Sequence, residues 1–405
     1  MSLNLDVLTY ILWFLPATSH WPNYHILNMM HTCRALYDAG LPVILNRIDI
    51  RLPDDPDDNG GHQFASFYRF ISCDKPRRCR LIRSINLTLS KHDGWTMSRL
   101  LKTNTALDRF ASILACCGNL QTLALPDSEA WMQHNAVLKT LNALTNLREL
   151  RLFLIANEDH KNKTRQFLSK LQSPKLQRII LLRHHRFFGE TGYPLVIARK
   201  SRMTLEFLQF PPCRLRPITS GVYPILKTLI LESFWVKTAH IDTLTSKLVR
   251  CLPNLEHLLL GTFHQDHDQG QYRVGPTGDV SPYMELVHLN NQEEQYRARM
   301  WPRLDTLGGN VYALDLLAVV CPVFHLKLRG KLQIPKEMVM WKEILDDCRP
   351  SAIQVEIEPG HEGFDIDQVR TLIPEDAHIS HLVVEINLPF EETDLDKLIV
   401  RAKHR

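Results

Sequence analysis

The sequence predicts an α/β fold, a parallel sheet made of stacked leucine repeats with helices between the strands. Three observations predict it: the spacing L-x-x-L-x-L recurs, its copies start at a nearly constant interval, and helical stretches lie between them. Leu255, Leu258 and Leu260 set the pattern, which returns at Leu120/Leu123/Leu125, Leu147/Leu150/Leu152, Leu176/Ile179/Leu181, Leu205/Leu208/Phe210 and Leu226/Leu229/Leu231. From Leu120 to Leu255 the copies start roughly 27, 29, 29, 21 and 29 residues apart, within the range of about 20–29 that suits stacked leucine repeats. One unit cannot bury its own apolar edge, so neighbours must stack. Weaker copies stand at Val323/Leu326/Leu328, Ala352/Val355/Ile357 and Ile379/Leu382/Val384.

Bulk properties exclude several classes. At 405 residues the chain is long for one compact core, but a stack escapes that limit because each turn touches only its neighbours. A formal charge of +4, from 48 Lys and Arg against 44 Asp and Glu, is too balanced to point to nucleic acid or membrane. The cysteines, nine in number, form no C-x-x-C pair, and Cys116, Cys117, Cys251 and Cys321 sit where apolar repeat positions are expected. They are expected to be reduced and buried, in a cytoplasmic or nuclear protein. No apolar run approaches the ~20 residues of a membrane span. The sequons at Asn86 and Asn162 are therefore expected to stay unmodified.

Taken in order, the chain opens with three short helices. The first covers about Leu5–Leu15, with Leu5, Leu8, Ile11, Leu12 and Leu15 on one side and Pro16 as its stop. The second covers about Tyr24–Met30 and the third about Cys33–Leu45, with a bend expected at Gly40-Leu-Pro42. PDDPDDNGG, within 51–62, reads as a solvated loop. Phe64–Ile71 reads as a short helix, and Lys75, Arg77, Arg78, Arg80 and Arg83 as a solvated basic face or a hold for an acidic partner. Repeats begin near Ile82/Ile85/Leu87, with helices over Leu107–Cys116, Ile241–Cys251 and Leu314–Val320. The regular spacing fails between Leu260 and Leu304, which predicts a long insertion at about 262–303. Whether it is ordered or covers the repeat face is left open.

No phosphate-binding loop, dinucleotide fingerprint or nucleophile elbow occurs. His361-Glu362-Gly-Phe-Asp365 lacks the second His of a zinc-protease helix. His264, Asp266, His267 and Asp268 have no second cluster to close a metal site, so no metal and no cofactor is expected. Cys116 and Cys117 precede a strand where burial is expected, so neither is read as a nucleophile. The expected protein is not an enzyme. Its repeats supply a surface instead, because strand side chains alternate and the residues between the leucines face outward. Arg151, Phe153, Arg178, Ile180, Leu182, Phe207, Ile230, His257 and Leu259 are the residues assigned to it, with Lys327 and Arg329 against Glu356, Glu358 and Glu385 farther on. Apolar residues on that face either form a contact site or simply suit a sheet.

Residues 1–50 resemble an F-box of the kind found in many fungal proteins. The family opens Leu-Pro-x-Glu-[Val/Ile]-Leu-x-x-Ile-Leu-x-x-Leu, and Leu3, Asp6, Val7, Leu8, Ile11, Leu12 and Leu15 match it in register. Asn4 replaces the usual Pro and Asp6 the usual Glu. Cys33-Arg34-Ala35-Leu36 falls where the family has Cys-Arg and an apolar residue. The rest of the chain is similar to the leucine-rich repeats of F-box proteins, with Leu252-Pro253-Asn254-Leu255 leading into a strand as they do. The resemblance implies an F-box over 1–50, a linker and irregular cap over 51–80, and a curved solenoid over 81–405 with a parallel concave sheet and helices on the convex side. It also implies docking on a Skp adaptor, and through it a cullin, by Leu3, Leu5, Val7, Leu8, Ile11, Leu12 and Leu15. One copy per hetero-complex would then hold a protein substrate for ubiquitination, with no nucleic acid or membrane involved. The alternative is a repeat scaffold unconnected with ubiquitin, its front helices a structural cap that shields the first repeat.

Overall fold

In the computed structural model the described residues are 7–8, 11, 22–52, 60–89, 104–126, 128–154, 167–168, 171, 173–183, 194–215, 221–236, 243–265, 282–298, 300–332, 337–357, 373 and 379–386. They form two compact units, Met1–Gly189 and Glu190–Arg405. The positions 50 and 80, expected from the sequence as boundaries, both lie within the first unit. Both units are α/β, with parallel strands that follow one another in chain order.

In the first unit, helix α1 (Pro22–Met30) packs on α2 (Arg34–Asn46), which runs directly into strand β1 (Arg47–Leu52). Pro42 is accommodated inside α2, where a bend was expected. The strand RIDIRL alternates, so that Ile48, Ile50 and Leu52 are buried and Arg47, Asp49 and Arg51 exposed. It pairs with β2 (Ser84–Leu89), Ile48 opposite Ile85 and Ile50 opposite Leu87. Leu45/Ile48/Ile50 is therefore a further copy of the repeat, ahead of the expected start at Ile82. Strands β3 (Thr122–Leu125), β4 (Glu149–Leu154) and β5 (Arg178–Arg183) follow in register, Leu123 opposite Leu150 and Leu150 opposite Ile179. Every L-x-x-L-x-L position from Ile82 to Leu181 is buried, each worth about 1.5–3 kcal/mol when fully removed from water.

The segment expected to be a linker and irregular cap carries the helix expected at Phe64–Ile71, as α3 (Gly60–Ser72), and a second helix, α4 (Lys75–Leu81). Arg77 reaches Asp38 of α2 at 3.0 Å. Arg78 donates to the Tyr37 hydroxyl at 2.8 Å and to the Phe70 carbonyl, with its guanidinium 4.1 Å from the centre of the Phe70 ring. These two arginines fasten α4 to its neighbours, and Arg78 corrects the expectation of a purely solvated basic face. Behind the strands lie α5 (Asn104–Leu114), α6 (Ser128–Gln133) and α7 (Asn135–Asn142). Their aromatic core stacks Phe110 on Trp131 at 4.7 Å and near Phe64 at 6.4 Å.

The second unit runs α8 (Pro194–Ile197), β6 (Phe207–Phe210), β7 (Cys213–Leu215), β8 (Thr228–Val236), α9 (Leu244–Cys251), β9 (His257–Gln265), α10 (Pro282–Ala298), β10 (Leu304–Gly309), α11 (Val311–Leu317), β11 (Val323–Leu332), α12 (Met338–Cys348), β12 (Ala352–Ile357) and β13 (His381–Ile386). The expected insertion is thus partly regular: β9 extends to Gln265, and α10 lies between β9 and β10. At Gly261 a Cβ would strike the Glu232 carbonyl, so the close pairing of β8 with β9 there admits only glycine. Leu307 of β10 pairs with Leu258 and Leu326, and Gly309 with Leu328. Leu304/Leu307/Gly309 is then a copy the leucine count missed, because glycine stands in its third place. One expected copy is out of register: Leu326 pairs with Ile353, and Ile353 and Val355 are the buried residues of β12. The repeat there is Pro350/Ile353/Val355, not Ala352/Val355/Ile357.

Successive turns are also tied by one recurring hydrogen bond. The asparagine just before the first leucine donates to a carbonyl in the preceding turn: Asn119 to Arg80 at 2.8 Å, Asn146 to Gly118 at 2.7 Å and Asn254 to Pro224 at 2.6 Å. These bonds lie at the exposed ends of the turns, where each gives a loop carbonyl a fixed partner within the chain.

Candidate protein-binding surface

Pairing registers place the residues between the leucines in rows that cross each sheet. In the first unit Thr122, Glu149 and Arg178 form one row, Ala124, Arg151 and Ile180 the next, and Phe153 faces Leu182. Glu149 lies beneath two arginines, paired with Arg151 and, at 3.2 Å, with Arg178. Phe153 is 39 % exposed, Leu182 half-buried and Arg151 and Arg178 exposed. Ile180 departs from the expectation: it is 7 % exposed, opposite Arg151 on the neighbouring strand. It belongs to the sheet's packing rather than to an open surface.

In the second unit one row reads Phe207, Thr228, His257, Thr306, His325, Ala352 and His381. The next reads Gln209, Ile230, Leu259, Gly308, Lys327, Gln354 and Val383. Phe207, Ile230, His257 and Leu259 are half-buried. His257 Nδ1 lies 3.2 Å from the Thr306 hydroxyl. His325 is held below the usual imidazole range by burial, with Lys327 repelling its charge further. Gln354 donates to Glu385 at 2.7 Å. The expected acidic end therefore shows Glu385 engaged; the side chain of Glu356, and Glu358 altogether, lie outside the described residues. Such a surface offers apolar contacts, hydrogen bonds and ion pairs to a polypeptide.

At the front, Val7 and Ile11 are 46 % and 39 % exposed and helical, with Leu8 half-buried. Leu3, Leu5, Leu12 and Leu15 lie outside the described residues, as do Asp266, His267, Asp268 and the His361–Asp365 segment. No helix among the described residues is long and apolar enough to cross a membrane. None of the nine cysteines is in a disulfide, but Cys33 and Cys73 are exposed and Cys116 is only partly buried, against an expectation of uniform burial. Cys117 is buried and its thiol is pushed up, first by its hydrogen bond with Cys79 and then by burial, the opposite of what a nucleophile needs.

Among the described residues, two groups of side chains bring three possible ligand atoms within 4.8 Å of one another, Glu256–His257–Asp305 and His288–Asp315–Glu343. In the first, Lys227 holds Glu256 at 2.8 Å and Arg303 holds Asp305 at 2.7 Å, so both carboxylates already have cationic partners. The second is an ion-pair network that the sequence reading missed, since its members stand on three helices and share no motif. A scan against protein-family models and a search of curated proteins returned no match for this chain.

Proposed function

We propose that this protein is the substrate-recognition subunit of a Skp–cullin–F-box ubiquitin ligase, a front helical segment gripping the adaptor and a leucine-rich-repeat solenoid holding a protein substrate. The observation that carries this reading is the alternation along the strands. The leucine positions of the repeats from Leu45 to Val355 are buried, the last copy at Leu382 being 41 % exposed on β13, while Arg151, Phe153, Arg178, Phe207, Ile230, His257 and Leu259 keep at least part of their surface open. Catalysis would come from proximity, with substrate lysines held near a conjugating enzyme on the cullin. The open apolar side chains of Val7 and Ile11 support adaptor docking, since they leave apolar surface for a partner to cover.

Removing residues 1–50 is a poor test, because it would also strip most of β1 from the sheet. Val7→Asp with Ile11→Asp is better. Co-purification with the adaptor should fall at least tenfold while the melting temperature stays within a few degrees; undiminished recovery of the adaptor would refute the reading. One observation favours the scaffold alternative. Helix α2 buries Leu36, Leu41 and Leu45 and flows into β1, as a structural cap would. Under that alternative, partner abundance in cells stays constant when the cullin is inhibited.

A further inference from the structure

We propose that His288 is a charged pin, whose imidazolium fastens helix α10 to the two helices that follow it in the chain, and that α10 docks only while that ring carries its charge. The inference is independent of the ubiquitin-ligase reading. It rests on three helices meeting at one ring.

His288 Nδ1 lies 3.0 Å from Asp315 Oδ1 on α11 and 2.9 Å from the Asp315 carbonyl oxygen. Its Nε2 lies 3.0 Å from Asp347 Oδ2 on α12. The His288 and Asp315 side chains are 8 % and 3 % exposed, and Asp347 is only slightly more open. Neither Asp315 Oδ1 nor Asp347 Oδ2 accepts a hydrogen bond from any other group. A neutral imidazole has one donor and a charged one has two. With carboxylate oxygens opposite both nitrogens, the geometry asks for two. A neutral ring would leave one buried carboxylate against a lone pair.

The surroundings are anionic. Asp347 Oδ1 is held by Gln292 at 2.6 Å, and that amide also lies 3.0 Å from His288 Nε2. Glu343 of α12 is pushed up by burial and then by the Asp315 charge, with Asp347 and Glu285 of α10 adding to it and His288 opposing. Helix α9 contributes the uncharged Thr245, which donates to the Leu317 carbonyl at 2.7 Å. Burial alone would depress His288; the bonds to Asp315 and Asp347, and their charges, outweigh it and raise the ring to about 10. A divalent cation suits carboxylates of this kind as well, but it would have to displace protons from nitrogens that already face oxygens.

A folded-state value above the unfolded one makes the contribution full below the ordinary imidazole value of 6.5. It fades above that value and is gone once the pH passes about 10. Hydrogen exchange of the full chain from pH 7 to 11, corrected for intrinsic rates, reads this directly. Protection in the 282–298 segment should fall at least tenfold across that range while the strand around Leu258 keeps its own. In His288→Gln, protection of 282–298 should be low and flat with pH. Wild-type protection that holds to pH 11, or a variant indistinguishable from wild type, would overturn the proposal. So would a stoichiometric divalent metal in the purified chain whose chelation strips protection at pH 7. If His288→Gln fails to fold, Asp347→Asn decides. Removing one of the two carboxylates that raise the ring must move the transition to lower pH, and an unmoved transition overturns the pin.

Discussion

The strands and helix α10 solve burial in opposite ways. On the strands the apolar residues point inward and polar or mixed ones outward, as at Leu258 and Leu260 against His257 and Leu259. On α10 the inward side carries His288, Asn291 and Gln295, all buried, while Leu286, Leu289 and Tyr296 face out, the last of them 67 % exposed. The helix can afford this only because its polar side meets the end of α11. Asn291 donates to the Leu316 carbonyl at 2.9 Å, and Gln295 to Leu317 at 3.3 Å and Ala318 at 2.6 Å. Gln295 also accepts from the Val320 N–H at 3.3 Å. Those carbonyls are the groups a helix end leaves without intrahelical partners. The comparison teaches that a side chain's place follows from the partners available there, and polarity is a guide only where water is the sole alternative partner.

Three substitutions bear on this contrast, in descending order of expected effect. Leu258→Ala opens a cavity in the strand ladder and should cost about 2–5 kcal/mol in chemical denaturation. Gln295→Leu makes an inward position more apolar yet should destabilise by about 1–3 kcal/mol, because it strands the Ala318 carbonyl and the Val320 N–H. A neutral or stabilising result in thermal unfolding would end the claim that the polar side of α10 is its docking side. Leu289→Ser removes an apolar residue from a helix and should change stability by no more than about 0.5 kcal/mol; a loss comparable to that at Leu258 would mean the outward stripe is packed.

What was legible in the sequence follows the same division. Period and alternation located the strands from Ile82 to Leu260 and the leucines that face inward, because each turn repeats one simple solution of apolar burial. Isoleucine in β1 and glycine at 309 hid two copies from a count of leucines, and a shift of two residues at β12 passed unnoticed because Ala352, Val355 and Ile357 are also apolar. Helix α10 was illegible for a physical reason: beside Val287 its described buried residues are His288, Asn291 and Gln295, so it reads as the polar loop that precedes it. Among the surface residues, Ile180 failed because alternation reports the face of a strand but not what its neighbours cover. Arg78 failed because charge alone does not reveal the ring and carbonyl it lies against.

The chain-order pairing of the strands has a consequence for synthesis on the ribosome. Where asparagines tie one turn to the next, the partners are 28, 30 and 39 residues apart, so a growing chain at about 5–20 residues per second can add a turn every few seconds. Between His257 and Thr306 the separation widens to 49 residues. For that interval β9 waits as an unpaired edge, the point in the life of the nascent polypeptide at which a chaperone has most to protect.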